Sequence, residues 1–299
     1  MDSSVQTMST WTIFLNQARK VPIEFRKAFD ATFAGKPFPY VLLCPDQRLN
    51  RPDEDVKLCA LSDDALYVFE KGYKPVVIAL NEVILIEHQE SLLYSHLRVL
   101  GKKDEVFVPF NAVSYDYFEP IIQTLRKLDD PQIAQIPDAL RALQEQSFKF
   151  TTLGTGVLKG ARPLVHYLYQ YGVPYRAMIF WTRMMINPHL VLLTQDELIW
   201  ICEDERIQQM DTNYGAIYVF MPLKRITDVR LEKTESFLRL HIHLNKKSAL
   251  EIRYVPEAQE QVAELQRRII GSIHAVRASR DSGVRVVETS SFGHLPVQR

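Results

Sequence analysis

Leu61-Ser62-Asp63-Asp64-Ala65-Leu66-Tyr67-Val68-Phe69 has a counterpart late in the same chain, Leu193-Thr194-Gln195-Asp196-Glu197-Leu198-Ile199-Trp200-Ile201, with hydroxyl, Asp and apolar residues at matching positions. Such a repeat constrains the fold more than any local pattern, because each copy is one supersecondary unit with a face to bury. In both copies a polar turn separates two apolar runs, the pattern of a β-hairpin. The match continues in order on both sides. Upstream, Pro39-Tyr40 and Pro174-Tyr175 each open an apolar run; downstream, Leu80, Val83 and Ile86 align with Leu223, Ile226 and Val229. Two alternating strands follow in each copy, around the tips Gly101-Lys102-Lys103-Asp104 and Asn245-Lys246-Lys247-Ser248. Period-two alternation puts one face on a core and the other in water.

Each copy then changes period. Phe118, Ile121, Ile122 and Leu125, and later Val262, Leu265, Ile269 and Ile273, fall at helical spacing, so each unit closes with a helix presenting one apolar face. The expected layout is a polar N-terminal tail and helix at 1–37, a first unit at 38–128, a linker with short helices at 129–173, a second unit at 174–277 and a mobile tail at 278–299. The N-terminal helix is read from Trp11 to Phe33, with Phe25, Phe29 and Phe33 four apart. Linker helices are read at Pro137 to Gln146 and Arg162 to Tyr171, and Gly154, Gly156 and Gly160 as breakers forming an interdomain hinge.

Lys plus Arg and Asp plus Glu both number 36, so no global field draws the chain to nucleic acid or an anionic membrane. Cys44, Cys59 and Cys202 lie far apart in apolar surroundings and read as reduced core residues rather than a disulfide or zinc framework. The polar start, Met1 to Thr10, lacks the regions of a signal peptide, and no apolar run reaches the ~20 residues of a membrane helix. A cytoplasmic location is the expectation.

The meander of short strands, the Leu-[Ser/Thr]-x-Asp-x-Leu hairpin and the closing helix together resemble the pleckstrin-homology-like (PH-like) superfold, and within it the bacterial PH-like and GRAM-like domains. The resemblance implies a mainly β (α+β) chain of two bent antiparallel sandwich or barrel domains, each stoppered by its helix. It also implies binding of lipids, peptides or protein surfaces. The loop where PH domains carry a basic phosphoinositide motif departs from that pattern: Arg48 and Arg51 stand against Asp46, Asp53, Glu54 and Asp55, and the second copy offers only Arg183.

Candidate contacts for a partner or lipid are Met184, Met185 and Ile186, apolar where a solvated turn is expected, and the dilysine tips Lys102-Lys103 and Lys246-Lys247. For these the competing readings are gap-filling core packing and exposed edge protection. His241-x-His243 is the one strand spacing suited to a metal, but a zinc site needs further ligands that the sequence does not supply, so no metal is expected. Gly154 to Gly160 matches neither G-x-G-x-x-G nor a Gly-Lys-Ser/Thr loop, and Gly-x-Ser-x-Gly and His-Glu-x-x-His are missing. The expected function is therefore a noncatalytic protein- or peptide-interaction module without cofactor, with possible self-association. The alternatives are a peripheral lipid binder and an enzyme of unrecognised type.

Overall fold

The computed structural model describes residues 10–46, 55–91, 93–128, 137–158, 163–178, 181–203, 215–244 and 248–281. The chain is mainly β, in several antiparallel sheets with a few helices. At the start, β1 (Ile13–Leu15), β2 (Tyr40–Cys44), β3 (Lys57–Leu61), β4 (Ala65–Glu70) and β5 (Val76–Ala79) pair in chain order into one sheet. Strands β2 to β4 are apolar almost end to end because this sheet is covered on both faces. On one side the helix α1 (Ile23–Phe33) lays Phe25, Phe29 and Phe33 over Val41, Leu58, Tyr67 and Phe69. On the other, Leu42, Cys59, Leu66 and Ile78 enter the first core.

Three strands follow, β6 (Leu85–Glu90), β7 (Tyr94–Leu100) and β8 (Glu105–Asn111), then the helices α2 (Tyr115–Arg126), α3 (Asp138–Gln144) and α4 (Phe148–Val157). The later part contributes β9 (Leu164–Gln170), the hairpin β10 (Val173–Met178) and β11 (Trp181–Ile186), then β12 (His189–Thr194), β13 (Glu197–Cys202) and β14 (Ala216–Pro222). It ends with β15 (Asp228–Lys233), β16 (Leu238–His243), β17 (Ala249–Tyr254) and the helix α5 (Gln259–Asp281). Strands β15 to β17 form a three-stranded sheet, and β10–β11 a two-stranded one.

The remaining strands join into one seven-stranded antiparallel sheet in the order β8-β7-β6-β14-β13-β12-β9. Its central ladder pairs β6 with β14, placing Ile86 opposite Phe220 and His88 opposite Tyr218. Because side chains alternate across a strand, this sheet serves two cores. Ile86, Val99, Ile199 and Phe220 face the first core together with the first sheet, α2, α3 and α4. Leu85, Val191, Leu198 and Val219 face the second, closed by β15 to β17 and by Val262, Leu265, Ile269 and Ile273 of α5. Arg225 fastens the joint from beyond β14: its Nε donates to the Val83 carbonyl at 2.9 Å and its Nη2 to that of Asn81. Among the described residues, no helix is long and apolar enough to cross a membrane.

Several sequence expectations are corrected here. The N-terminal helix is shorter than Trp11 to Phe33, because Ile13–Leu15 adds to the edge of the first sheet and the helix starts only after Pro22. Arg162 to Tyr171 is not helical: Leu164–Gln170 is β9, with Leu168 opposite Val191. Four-residue spacing of Leu164 and Leu168 also satisfies a two-residue period, so pattern alone did not separate helix from strand. Among the described residues no sheet closes into a barrel, since β14 gives its outer edge to β6 and the seven-stranded sheet ends at β8 and β9. The expected mobile tail from 278 begins as helix, α5 continuing to Asp281; Lys246, Lys247, Gly160 and residues 282–299 lie outside the described residues.

Gly154 and Gly156 do not break the chain but sit inside α4. A Cβ at Gly154 would lie 2.9 Å from Leu190 Cδ2, so glycine there lets the helix approach β12. Gly156 has nothing within 4 Å of its Cβ position. Gly154→Val should therefore cost about 1–3 kcal/mol by overpacking, whereas Gly156→Ala should be neutral or gain about 0.5–1 kcal/mol of helix propensity; paired urea denaturation curves check the contrast.

Candidate functional site

Strand β6 reads Leu-Ile-Glu-His-Gln-Glu, and the loss of apolar alternation after Ile86 puts His88 into a core-facing position. His88 is 3% exposed. Its ring lies among Tyr115 of α2, Tyr218 of β14 and Phe110 of β8, with centroids 5.1, 5.6 and 6.0 Å away and planes within 21°. Its Nε2 is enclosed and has no hydrogen-bond partner among the described residues. Burial first, and His96 second, lower its pKa from 6.5 to about 4, so the ring is neutral near pH 7.

The His88, Tyr115 and Tyr218 rings, with Phe220, line a cleft of about 210 Å³ between the halves, walled by α2 on one side and α4 on the other. Glu90 and Glu119 stand along it with Gln123 and Thr152. The Tyr218 hydroxyl donates to Glu90 Oε2 at 3.4 Å, and burial followed by Glu90 raises that phenol above its ordinary range. Burial, with Glu119 and Glu90, pushes Tyr115 up to about 12. The Thr152 hydroxyl is turned to its own helix, donating to the Phe148 carbonyl at 3.0 Å.

Arg126, the cation in the lining, is already engaged. Its Nη2 donates to Glu197 Oε1 at 2.7 Å and to the Val157 carbonyl at 2.8 Å, and its Cζ lies 4.1 Å over the Phe220 ring. The pair's side chains are only 6% and 3% exposed, and it links α2 of the first half to β13 of the second. The cleft is thus aromatic-floored, with two carboxylates and a neutral imidazole but no uncommitted cation among the described residues.

On the opposite face of the same seam lies a more apolar hollow of about 350 Å³, between β6–β7 and the β16–β17 hairpin. Leu85, Leu100, Trp200, Ile217 and Leu250 line it, and the Glu87–Arg98 ion pair, 3.2 Å, stands at its edge.

The residues singled out from the sequence are not brought together. Lys102 and Lys103 are exposed at the β7–β8 turn, with Lys102 Nζ 3.3 Å from Glu82 Oε1. In β11, Ile186 is buried and Met185 half-buried; the Met184 side chain, like Lys246 and Lys247, lies outside the described residues. The β16–β17 register pairs Ile242 with Leu250, so His241 opposes Glu251 and His243 opposes Ala249. His241 Nε2 meets Glu232 Oε2 at 2.9 Å. Among the described residues no group of three or more His, Cys, Asp or Glu is placed to hold a metal ion. Sequence reasoning passed over His88, Glu90, Tyr115, Glu119 and Tyr218; the available signal was the polar run Glu87-His88-Gln89-Glu90 inside a strand.

No protein-family model matches the chain, and no curated protein matches it.

Two outcomes follow from this chemistry. Arg126→Met should cost about 3–5 kcal/mol, because it strands the Glu197 carboxylate in the interior, and adding Glu197→Leu should restore most of the loss; denaturant unfolding of the single and double variants measures both. His189, wedged against Tyr254 at 4.9 Å, likewise has a pKa lowered to about 4, chiefly by burial. The unfolded chain takes up these protons near pH 6.5, so stability should fall as pH drops from 6.5 towards 4. The drop should reach roughly 3 kcal/mol per histidine, and a melting temperature flat across that window in the wild type would refute it.

Proposed function

We propose that this chain is a noncatalytic protein- or peptide-binding module built from two PH-like units fused edge to edge, and that the cleft at their seam receives the partner. The duplication is supported by strand order: β2-β3-β4-β5 with β6 to β8 and α2 parallels β9-β12-β13-β14 with β15 to β17 and α5. In this reading the second unit takes in β9, and the β10–β11 hairpin occupies the place of the loop between β2 and β3. The repeated hairpin motif supports it at atomic detail. Ser62 Oγ accepts the Ala65 N–H at 3.2 Å and Thr194 Oγ1 that of Glu197 at 3.1 Å. The carbonyls of Asp64 and Asp196 accept from Leu80 and Leu223 at 2.9 and 2.8 Å.

The observation that carries the binding assignment is the cleft itself, a concave aromatic site with a few converging polar groups at a boundary between units, where ligand sites concentrate. Gly156 offers a clean probe, because it lines the cleft and has open space at its Cβ. Gly156→Leu should fill the site while leaving the melting temperature within a few degrees of wild type. Quantitative affinity capture from the native host with both forms should then show at least one protein depleted about fivefold or more in the variant. Equal recovery of every captured protein would remove the seam from the binding surface.

A second reading, peripheral lipid contact, is favoured by one feature, the β10–β11 hairpin, which is a two-stranded sheet apart from the others and carries Met184 and Met185. Flotation with anionic and neutral vesicles decides it: binding lost in the Met184→Ser/Met185→Ser variant supports the lipid reading, and no flotation by the wild type rejects it.

A further inference from the structure

We infer that the seam cleft takes one cationic side chain, the ammonium of a lysine or the guanidinium of an arginine presented by a partner's peptide; this rests on the peptide-binding reading above. Its size is the first reason. At about 210 Å³ the cleft is smaller than the roughly 300–1,000 Å³ sites that hold drug-sized ligands, and suits one long side chain.

Charge is the second reason. Glu90 and Glu119 stand in the lining, and the cation among them, Arg126, is neutralised by Glu197. Glu90 is exposed and meets the Tyr218 hydroxyl, with no cation beside it among the described residues. A phosphate or carboxylate ligand would face the Glu90 carboxylate and, among the described residues, find no uncommitted cation to receive it.

The floor is the third. Cations settle over aromatic faces because the ring quadrupole is negative there. This floor already holds one: the Arg126 guanidinium lies 4.1 Å over Phe220. The next ring along β14, Tyr218, is parallel to Phe220 within 4° at 6.5 Å, and among the described residues it carries no cation. Beside it, His88 extends the aromatic wall, nine-tenths buried with an Nε2 unpartnered among the described residues and uncharged near neutral pH, so it adds surface without repelling a positive guest.

The test uses the full chain and calorimetric titration with end-blocked Gly-Gly-X-Gly-Gly peptides in which X is lysine, arginine or norleucine, together with free butylamine. The lysine or arginine peptide should bind at least tenfold more tightly than the norleucine peptide. Glu90→Gln should weaken that binding severalfold, added salt should weaken it further, and Gly156→Leu, with its melting temperature checked, should abolish it. Equal binding of the norleucine peptide would overturn the cation assignment and leave the peptide-site reading intact. Cationic binding untouched by Gly156→Leu would overturn both. Butylamine binding as tightly as the lysine peptide would reassign the cleft to free amines, and no binding by any probe would end the inference.

Discussion

The pairing of β6 with β14 is the contact on which the rest of the molecule depends. A sheet edge presents unpaired N–H and C=O groups, and each half would expose one at this point. Joining the edges satisfies both rows and turns seven strands into a single wall with a core on each side. Alternation along two short strands, Ile86 and Phe220 to one side, Leu85 and Val219 to the other, assigns residues to the two cores. A slip of one residue would exchange the faces, so the register is held by burial on both sides at once.

The cleft is a by-product of that pairing. Register alone sets His88 opposite Tyr218, and α2 and α4 then enclose the ring pair from above. Packing also decides the electrostatics. Arg126 would be the natural receiver of an anion, but the same helix placement presses it onto Phe220 and against Glu197. Removing a cation from solvent is costly unless it is paired, and here the pairing consumes the charge. What remains along the cleft is aromatic surface bordered by the Glu90 and Glu119 carboxylates.

Parts of the fold were legible because their signals are local. The Leu61–Phe69 and Leu193–Ile201 hairpins are β3–β4 and β12–β13, and the helical spacing of Phe118 to Leu125 and of Val262 to Ile273 gave α2 and α5. Misreadings arose where one residue type serves two geometries. Gly154 looked like a breaker, yet in a helix lying against Leu190 it is the residue that fits. Leu164 and Leu168 fit a helical period as well as a strand period, and only the neighbouring strand β12 resolves them.

The amino-acid sequence by itself determined the antiparallel, mainly β character, the hairpin turns and the helix that follows each run of strands, since these depend on periodicity and turn chemistry among near neighbours. Tertiary structure alone decided that β14 pairs with β6, that a glycine-bearing segment covers β12 as a helix, and that His88, Tyr115, Tyr218, Glu90 and Glu119 meet. Those residues come from three separated stretches of chain, and no local pattern encodes which sheet edges will find each other. That choice is made by the burial of two cores together, a property of the whole molecule.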